Sequence, residues 1–430
     1  ASDIAPVIRG LLTDDKSNKT FIINHRINDD IKTFMNGVDV NRYSQVGTIT
    51  PDHVIRIKPY PLIIDLKDNA NIDSFHKIAK TSIKKYVEKY KSYYKKYSKR
   101  KNLTMLDPYP RIIYVKGMGM FSVGDNYKSS IIAGDLAETN ARVIASIEKS
   151  TKYKTISEKD IFDIEYWSLE QAKLNKKNKL LEGKIVVITG STGTIGYETY
   201  KIFTEQGAEV VLIDCNKEQI SKIQSSIPNL CLYADVTKRE NVQKVFKVIC
   251  ERFGGIDILI SNAGSVSDGP IADVSDKSLK QSFDDNFFSH QICASEAVKV
   301  MLKQENKGCL LFNISKQSVN PGKNFGPYGL PKTALLGLCK QYALDYGKYG
   351  IRANGINADR IKSGLLNDNI IKTRAKARNV TTNKYMKGNL LTKEVTAKDV
   401  ALAFLHLAIS EKTTGAVLTV DGGNIAASMR

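Results

Sequence analysis

The sequence predicts an α/β protein, with a doubly wound parallel sheet over its last 250 or so residues and a smaller α/β domain before it. Three observations predict this. Short apolar runs recur from Lys184 onward, helical patterns separate nearly all of them, and a glycine-rich turn joins the first run to the first helix. Apolar runs of strand length that alternate with helices belong to a parallel sheet covered on both faces. The runs are Lys184-Ile-Val-Val-Ile188, Glu209-Val-Val-Leu-Ile213, Cys231-Leu-Tyr233, Ile256-Asp-Ile-Leu-Ile260, Cys309-Leu-Leu-Phe-Asn313, Ile351-Arg-Ala-Asn354 and Val417-Leu-Thr-Val420.

Before residue 150 the pattern is mixed. Pro61-Leu-Ile-Ile64 and Arg111-Ile-Ile-Tyr-Val115 read as short buried strands. Between them Phe75, Ile78, Ile83, Tyr86, Val87, Tyr90, Tyr94 and Tyr97 recur every three or four residues, within a lysine-rich stretch running to Lys101. Tyrosine interleaved with lysine can form a stacking platform for single strands. The alternative, which the spacing favours, is an amphipathic helix with tyrosines inward and lysines in water. Lys116-Gly-Met-Gly-Met120 ends the second strand, and a helix follows from about Ile131 to Lys149. The chain thus divides into 1–150, a polar connecting arm at 151–180 anchored by Trp167, and 181–430.

With 430 residues, 42% hydrophobic and 25% charged, the chain has the composition of a soluble globular protein. No apolar run is long enough to cross a bilayer and no signal pattern opens the sequence, so a cytoplasmic protein without a membrane partner is expected. The net charge of +19 comes mostly from dispersed lysine, which argues against a nucleic-acid partner. The six cysteines have no metal-site or redox-site spacing and read as reduced thiols.

Thr189-Gly-Ser-Thr-Gly-Thr-Ile-Gly196 lies between a buried strand and a helix, the context that a Rossmann dinucleotide site requires. Gly190 permits a tight turn, Gly193 a close approach of backbone to pyrophosphate, and Gly196 close packing of helix on strand. Thr192, Thr194 and Ile195 complete the phosphate-facing turn, and the helix N-terminus adds free amides and partial positive charge. Asp214 ends the second strand, where its carboxylate can accept from ribose hydroxyls and would repel a 2′-phosphate. NAD is therefore expected over NADP, with nearby Lys217 softening the preference. Asp235 and Val236 follow the third strand at the adenine position. Ser261-Asn262-Ala263-Gly264 closes the fourth, beside the cofactor.

These motifs, with Tyr328-Gly-Leu-Pro-Lys332 and Thr414-Gly-Ala-Val-Leu-Thr-Val-Asp-Gly-Gly423, resemble those of the short-chain dehydrogenases/reductases from about Leu181 to Arg430. Hydride transfer at a carbonyl carbon needs a proton delivered to, or taken from, its oxygen. A free phenol titrates near 10, too high for efficient base catalysis at neutral pH. Lys332, one helical turn beyond Tyr328, is expected to put an ammonium beneath the phenol and favour phenolate. The resemblance also implies that Lys332 bonds the nicotinamide ribose. It implies that Ser315, thirteen residues before Tyr328, orients substrate and that Asn286 holds a relay water. Lys316 replaces the usual second serine of that turn, which leaves Ser318 as the alternative to Ser315. Two further departures stand out. The turn carries its glycine at Gly193 where the family has one at Thr194, and Asn357-Ala-Asp-Arg360 replaces the usual Asn-Pro-Gly. Ile361 and Ser363 would still lie at the carboxamide. Arg360, beside Asp359, either meets an anionic substrate group or forms a structural salt bridge.

The whole chain resembles bifunctional proteins in which a rhamnulose-1-phosphate aldolase-like class II aldolase is fused to a short-chain dehydrogenase. Asn41-Arg-Tyr-Ser44, Thr50-Pro-Asp-His-Val-Ile-Arg56, Gly117-Met-Gly-Met-Phe121, Phe162-Asp-Ile-Glu-Tyr-Trp167 and Ser315-Lys-Gln-Ser-Val-Asn-Pro-Gly322 carry this likeness. The implied aldolase part is only its tail, without the upstream metal histidines. A class II aldolase needs three histidines on a divalent ion. Here Gly117-Met118-Gly119 stands where such enzymes have Gly-His-Gly, and His53 is the one weak metal candidate, so no metal is expected in this chain alone. The expected function is NAD-dependent interconversion of a small alcohol with its aldehyde or ketone, lactaldehyde-like or sugar-derived, by a homodimer or homotetramer. The alternatives are a non-catalytic NAD-binding scaffold and one half of a split aldolase.

Overall fold

The computed structural model describes residues 1–13, 19–66, 71–99, 103–168, 171 and 179–424. Lys101 and residues 169–170 and 172–178 of the arm lie outside the described residues. The chain forms two compact units, Ala1–Gly183 with Val248–Gly255 and Lys184–Lys247 with Ile256–Arg430.

In the first unit β1 (Ile22–Arg26), β2 (Leu62–Ile64), β3 (Ile112–Val115) and β4 (Gly119–Gly124) form a sheet in the order β1-β4-β3-β2. Strand β2 is parallel to β3, and the other pairs are antiparallel. Side chains alternate across a strand. Ile113 and Val115 accordingly enter one core with Phe75, Ile83, Tyr86 and Tyr90, while Ile112 and Tyr114 enter another with Phe34, Ala133 and Ala137.

Strand β4 was not expected. Gly-Met-Gly reads as a strand end, but Gly117 at φ +76° turns the chain back as a hairpin, and the amide of Met118 donates to Val115 O at 3.0 Å. The following helix spans Tyr127–Glu148, starting earlier than its periodicity suggests because the Asn126 side chain caps it by accepting from Ser129 N.

The lysine-rich segment is a helix, Ile72–Tyr97, with Tyr86, Tyr90 and Tyr93 buried. These rings are therefore core, as the amphipathic reading requires, with Tyr94 and Tyr97 partly buried against the same core. Tyr90 donates to the buried Glu165 at 2.8 Å, and Phe162 stacks on Tyr166 at 4.5 Å between ring centroids. This overturns the expected anchor. Trp167 is 56% exposed, whereas Phe162 and Tyr166 are buried against the tyrosine helix. On the short helix Glu158–Glu165, Phe162 faces inward, and Trp167 lies beyond that helix's end.

In the second unit β5 (Ile185–Thr189), β6 (Glu209–Asp214), β7 (Cys231–Tyr233), β8 (Ile258–Ser261), β9 (Gly308–Asn313), β10 (Ile351–Ala358) and β11 (Val417–Val420) form one parallel sheet. Its order is β11-β10-β9-β8-β5-β6-β7. The chain runs outward from β5 through β6 and β7, then resumes on the other side at β8. A switch point thus lies between β5 and β8, where α/β sheets bind ligands at their carboxyl ends. Ile185, Val186, Val187 and Ile188 are wholly buried, as a central strand covered on both faces must be. The helix Ala397–Ile409 packs along the helix Thr194–Glu205, and a Thr396–Asp399 capping box fixes its start.

Candidate active site

The glycine-rich turn leaves β5 at the switch point. Gly190 has φ +60°, and a Cβ there would lie 2.8 Å from Ala263 Cα, so only glycine fits. A Cβ on Gly196 would lie 2.4 Å from Gly190 O, which shows how closely the helix Thr194–Glu205 approaches the turn. Gly193 differs. Its φ is −70°, and a Cβ would meet nothing nearer than Gly190 O at 3.4 Å. The protein's own packing does not require glycine at this position. Gly193 is the N-cap and supplies no side-chain cap, so the amides of Thr194 and Ile195 open the helix with their polarity facing outward. Space and free amides together fit a phosphate. Moving the glycine from 194 to 193 therefore leaves this entrance clear.

Of the remaining residues of the expected dinucleotide site, Asp214 and Asn262 bond directly to this turn. Asp214 Oδ2 accepts from both N and Oγ1 of Thr192, each at 2.9 Å, and its Oδ1 accepts from Asn216 N at 3.0 Å. The carboxylate is thus anchored at the turn, only 8% exposed. Asp235 accepts from N and Oγ1 of Thr237, and Val236 beside it is buried. Asn262 donates to Thr189 O and Gly190 O at 3.1 Å and accepts from Asn313 Nδ2 at 2.8 Å, so its side chain ties β5, β8 and β9 together. Thr189 Oγ1 accepts from the amides of Asn262 and Ala263. A Cβ on Gly264 would lie 2.7 Å from Asn286 Oδ1.

Asn286 is fully buried within a π-helical turn, Asp284–Phe288, between two α-helices. Its Oδ1 accepts from Ser265 N at 3.2 Å and its Nδ2 donates to Ser282 O at 3.1 Å. Such π turns interrupt a helix's regular bonding and frequently mark functional sites. Tyr328 and Lys332 lie near the start of the helix Gly326–Tyr346. Lys332 is 4% exposed, and its Nζ donates to Asn313 O at 2.9 Å. Ser315 follows β9, where its Oγ accepts from Gln317 N and caps a short 3-10 turn.

Of the two candidate serines, Ser315 is the one whose hydroxyl acts on the Tyr328 phenol, whereas Ser318 Oγ is used on Ser315 O at 2.7 Å and lies 3.3 Å from Asn357 Oδ1.

The electrostatics differ from the simple ammonium-under-phenol expectation. Burial raises the Tyr328 phenol above its usual value, and Ser315, not Lys332, works against that rise. The Lys332 nitrogen sits 5.8 Å from the Tyr328 ring centroid, and burial pulls the lysine down to about 7.

Asp359 Oδ2 accepts from Lys316 Nζ at 3.2 Å and Asn424 Nδ2 at 2.7 Å. Arg360 lies 3.5 Å from the same carboxylate, donates to Tyr385 O at 2.7 Å and packs over the Tyr385 ring. Its guanidinium is used structurally. Ile361 and Ser363 follow the carboxyl end of β10, with Ile361 buried and Ser363 Oγ accepting from Leu366 N. In the other unit, His53 Nδ1 pairs with Thr50 Oγ1 at 2.7 Å. Among the described residues no group of three potential metal ligands is brought together there or elsewhere.

One buried group was missed. His290, one turn past Asn286, lies 3.5 Å through Nε2 from Lys332 Nζ and 2.7 Å through Nδ1 from Ser261 Oγ. The available signal was its four-residue spacing from Asn286 on one helical stretch.

This sheet, glycine turn and Ser-Tyr-Lys grouping define an oxidoreductase of the dehydrogenase/reductase class. The chain belongs to the short-chain dehydrogenase/reductase family: residues 190–424 match the family described as enoyl-(acyl carrier protein) reductase, and residues 1–174 match the second domain of class II aldolase. Members act on CH–OH groups or the corresponding carbonyls. An uncharacterized oxidoreductase of Bacillus subtilis, YuxG, is 31% identical over 99% of this chain, which spans 64% of that relative's length. (+)-Borneol dehydrogenase 1 of Salvia officinalis is 31% identical over 57% of this chain and 95% of its own. A crystal structure of levodione reductase shares the fold with a TM-score of 0.53 at 22% identity, covering 58% of this chain and all of that one. Among the described residues, no helix is long and apolar enough to cross a membrane.

Proposed function

We propose that the protein interconverts a small alcohol and its aldehyde or ketone with NAD, with Tyr328 as acid and base. The observation that carries this reading is the Ser315 hydroxyl acting on a half-buried Tyr328, with Lys332 fixed nearby on Asn313. NAD would lie along the Gly190–Gly196 turn, its adenosine ribose toward Asp214 and its adenine toward Asp235 and Val236. Ile361 and Ser363 would border the nicotinamide end. Bound NAD supplies the hydride acceptor. Asp214 favours NAD over the 2′-phosphorylated form because a carboxylate anchored by Thr192 repels added negative charge.

In oxidation, Ser315 donates to the substrate oxygen and holds it against the phenol. Tyr328 takes the hydroxyl proton as hydride leaves the same carbon. Lys332, which titrates near neutrality, accepts that proton onward and returns it in the reductive direction. Asn286 holds the segment around Gly264 and Ser265 in place. Short hydroxyaldehydes of the lactaldehyde type are the substrates to try first, with a homodimer or homotetramer as the working assembly.

The test is a panel of short alcohols and aldehydes assayed by nicotinamide absorbance with NAD and with NADP. Turnover with NAD, and a preference that weakens in Asp214→Ala, is the expected result. No turnover with any pair would overturn the reading in favour of a binding scaffold.

A further inference from the structure

The catalytic lysine has a neighbour that the reaction scheme above does not use. His290 is completely buried on the helix Ser289–Gln304. Side chains from three elements face it, and the backbone at Ser261 and Ala263 also hydrogen-bonds the ring. From the helix Gly326–Tyr346 comes Lys332 Nζ, 3.5 Å from Nε2. From β8 comes Ser261 Oγ, 2.7 Å from Nδ1. From β9 comes the Phe312 ring, 6.4 Å away between centroids.

Lys332 carries N–H donors both as ammonium and as amine, so a bare Nε2 can accept from it in either state, with the ring proton then on Nδ1, directed at Ser261 Oγ. Burial foremost, and the adjacent lysine, disfavour imidazolium and outweigh the backbone hydrogen bonds at Ala263 and Ser261 that favour it, so the ring stays neutral and keeps one lone pair. Ser261 is itself buried at the end of β8 and fixes the ring from behind.

We propose that His290 is a positioning residue for Lys332. Its neutral Nδ1–H form, locked by Ser261, presents Nε2 as an acceptor that holds the lysine head group where Asn313 O also binds it. Two N–H donors of Lys332 are then directed into the protein, at Nε2 and at Asn313 O, and the remaining position of the head group, a lone pair in the amine or a third donor in the ammonium, is left for the reacting partners. The encased imidazole has no part as a proton exit. The proposal rests on the reading of Lys332 given above.

Two measurements test it. The first needs no substrate: long-range proton–nitrogen NMR of the protein labelled with ¹⁵N-histidine, with His290 assigned by the signal lost in His290→Gln. A neutral Nδ1–H ring between about pH 6 and 9 is expected. An Nε2–H ring, or a protonation midpoint within that range, overturns the proposal.

The second compares His290→Leu with His290→Gln, using the best substrate of the panel and checking the fold by thermal unfolding. Leucine removes the acceptor and should lower kcat on the order of tenfold to a hundredfold with a displaced pH profile. Glutamine, which restores an acceptor oxygen, should recover most of it. Equal losses in both variants, or an unchanged profile in His290→Leu, contradict the proposal. Should the leucine variant fail to fold, Ser261→Ala takes its place. It should release the tautomer lock and yield a mixture of ring forms, and a ring still purely Nδ1–H would contradict the lock. If wild type turns nothing over, the alcohol–NAD reading fails, and the ring's tautomer still decides the positioning claim.

Discussion

Lys332 Nζ donates to the carbonyl of Asn313 at 2.9 Å, so the helix carrying Tyr328 is tied to the end of the strand that leads into Ser315. The bond holds an amine that is 4% exposed, and burial draws its pKa from 10.5 to about 7. Below about pH 7 the folded and unfolded chains both hold that proton, and the folded state bears the full cost of a buried cation. Between the two values the unfolded chain binds more protons, so stability rises with pH. Relative to Lys332→Met, the wild type should gain roughly 3–5 kcal/mol as pH is raised across this window. Denaturant unfolding of both proteins at several pH values checks this, and a constant difference would count against a depressed lysine.

Ser315 bears on the pH dependence of turnover. Burial raises Tyr328 and the Ser315 hydroxyl opposes that rise. Oxidation needs phenolate, so its rate should climb on the alkaline side. Ser315→Ala should move that limb to higher pH and lower kcat by about a hundredfold, because both the opposing hydroxyl and the substrate contact are lost. A pH–rate series for the two proteins measures the limb, and one that stays put argues that Ser315 does not act on the phenol.

The two glycines of the turn should separate folding from binding. Gly196→Ala puts a methyl 2.4 Å from Gly190 O and should cost stability, about 1–3 kcal/mol. Gly193→Ala finds its nearest neighbour at 3.4 Å and should leave the melting temperature nearly unchanged. It should nevertheless weaken NADH binding by about tenfold, because the methyl takes the space in front of the helix amides. Melting curves and NADH fluorescence titrations of both variants decide this, and equal effects on both properties would remove the distinction.

In the first unit the anchor of the segment after residue 150 can be weighed directly. Phe162 is fully buried among tyrosines, while Trp167 is 56% exposed. Phe162→Ala should cost about 3–5 kcal/mol. Trp167→Ala should change stability by less than about 1 kcal/mol. Chemical denaturation distinguishes them, and a reversed order would restore Trp167 as the anchor.

What the sequence made legible follows from which signals are local. The strands at Ile185, Glu209 and Gly308 are continuous apolar runs, and their burial on both faces is written in that composition. The Gly190 and Gly196 positions follow from conformations and contacts open only to glycine. The β4 strand was hidden because Gly117 and Gly119 look like a loop, although a positive φ at Gly117 is what makes the hairpin. Trp167 misled because its size suggested burial, whereas helix phase places Phe162 inward. His290 drew no reading from the sequence because its partners Ser261 and Lys332 come from a distant strand and helix, so no sequence window contains the contact. Arg360 was left open between substrate and salt bridge, and its partners Tyr385 and Gly388 are again remote in sequence.

The acid–base role of the Tyr328 phenol is the centre of the account. Replacing that one oxygen in Tyr328→Phe, and measuring reduced-nicotinamide formation beside NADH affinity, tests it most directly. The account predicts that turnover falls on the order of a hundredfold to ten-thousandfold while NADH binds as tightly as to the wild type. A variant that turns over as fast as the wild type would contradict it.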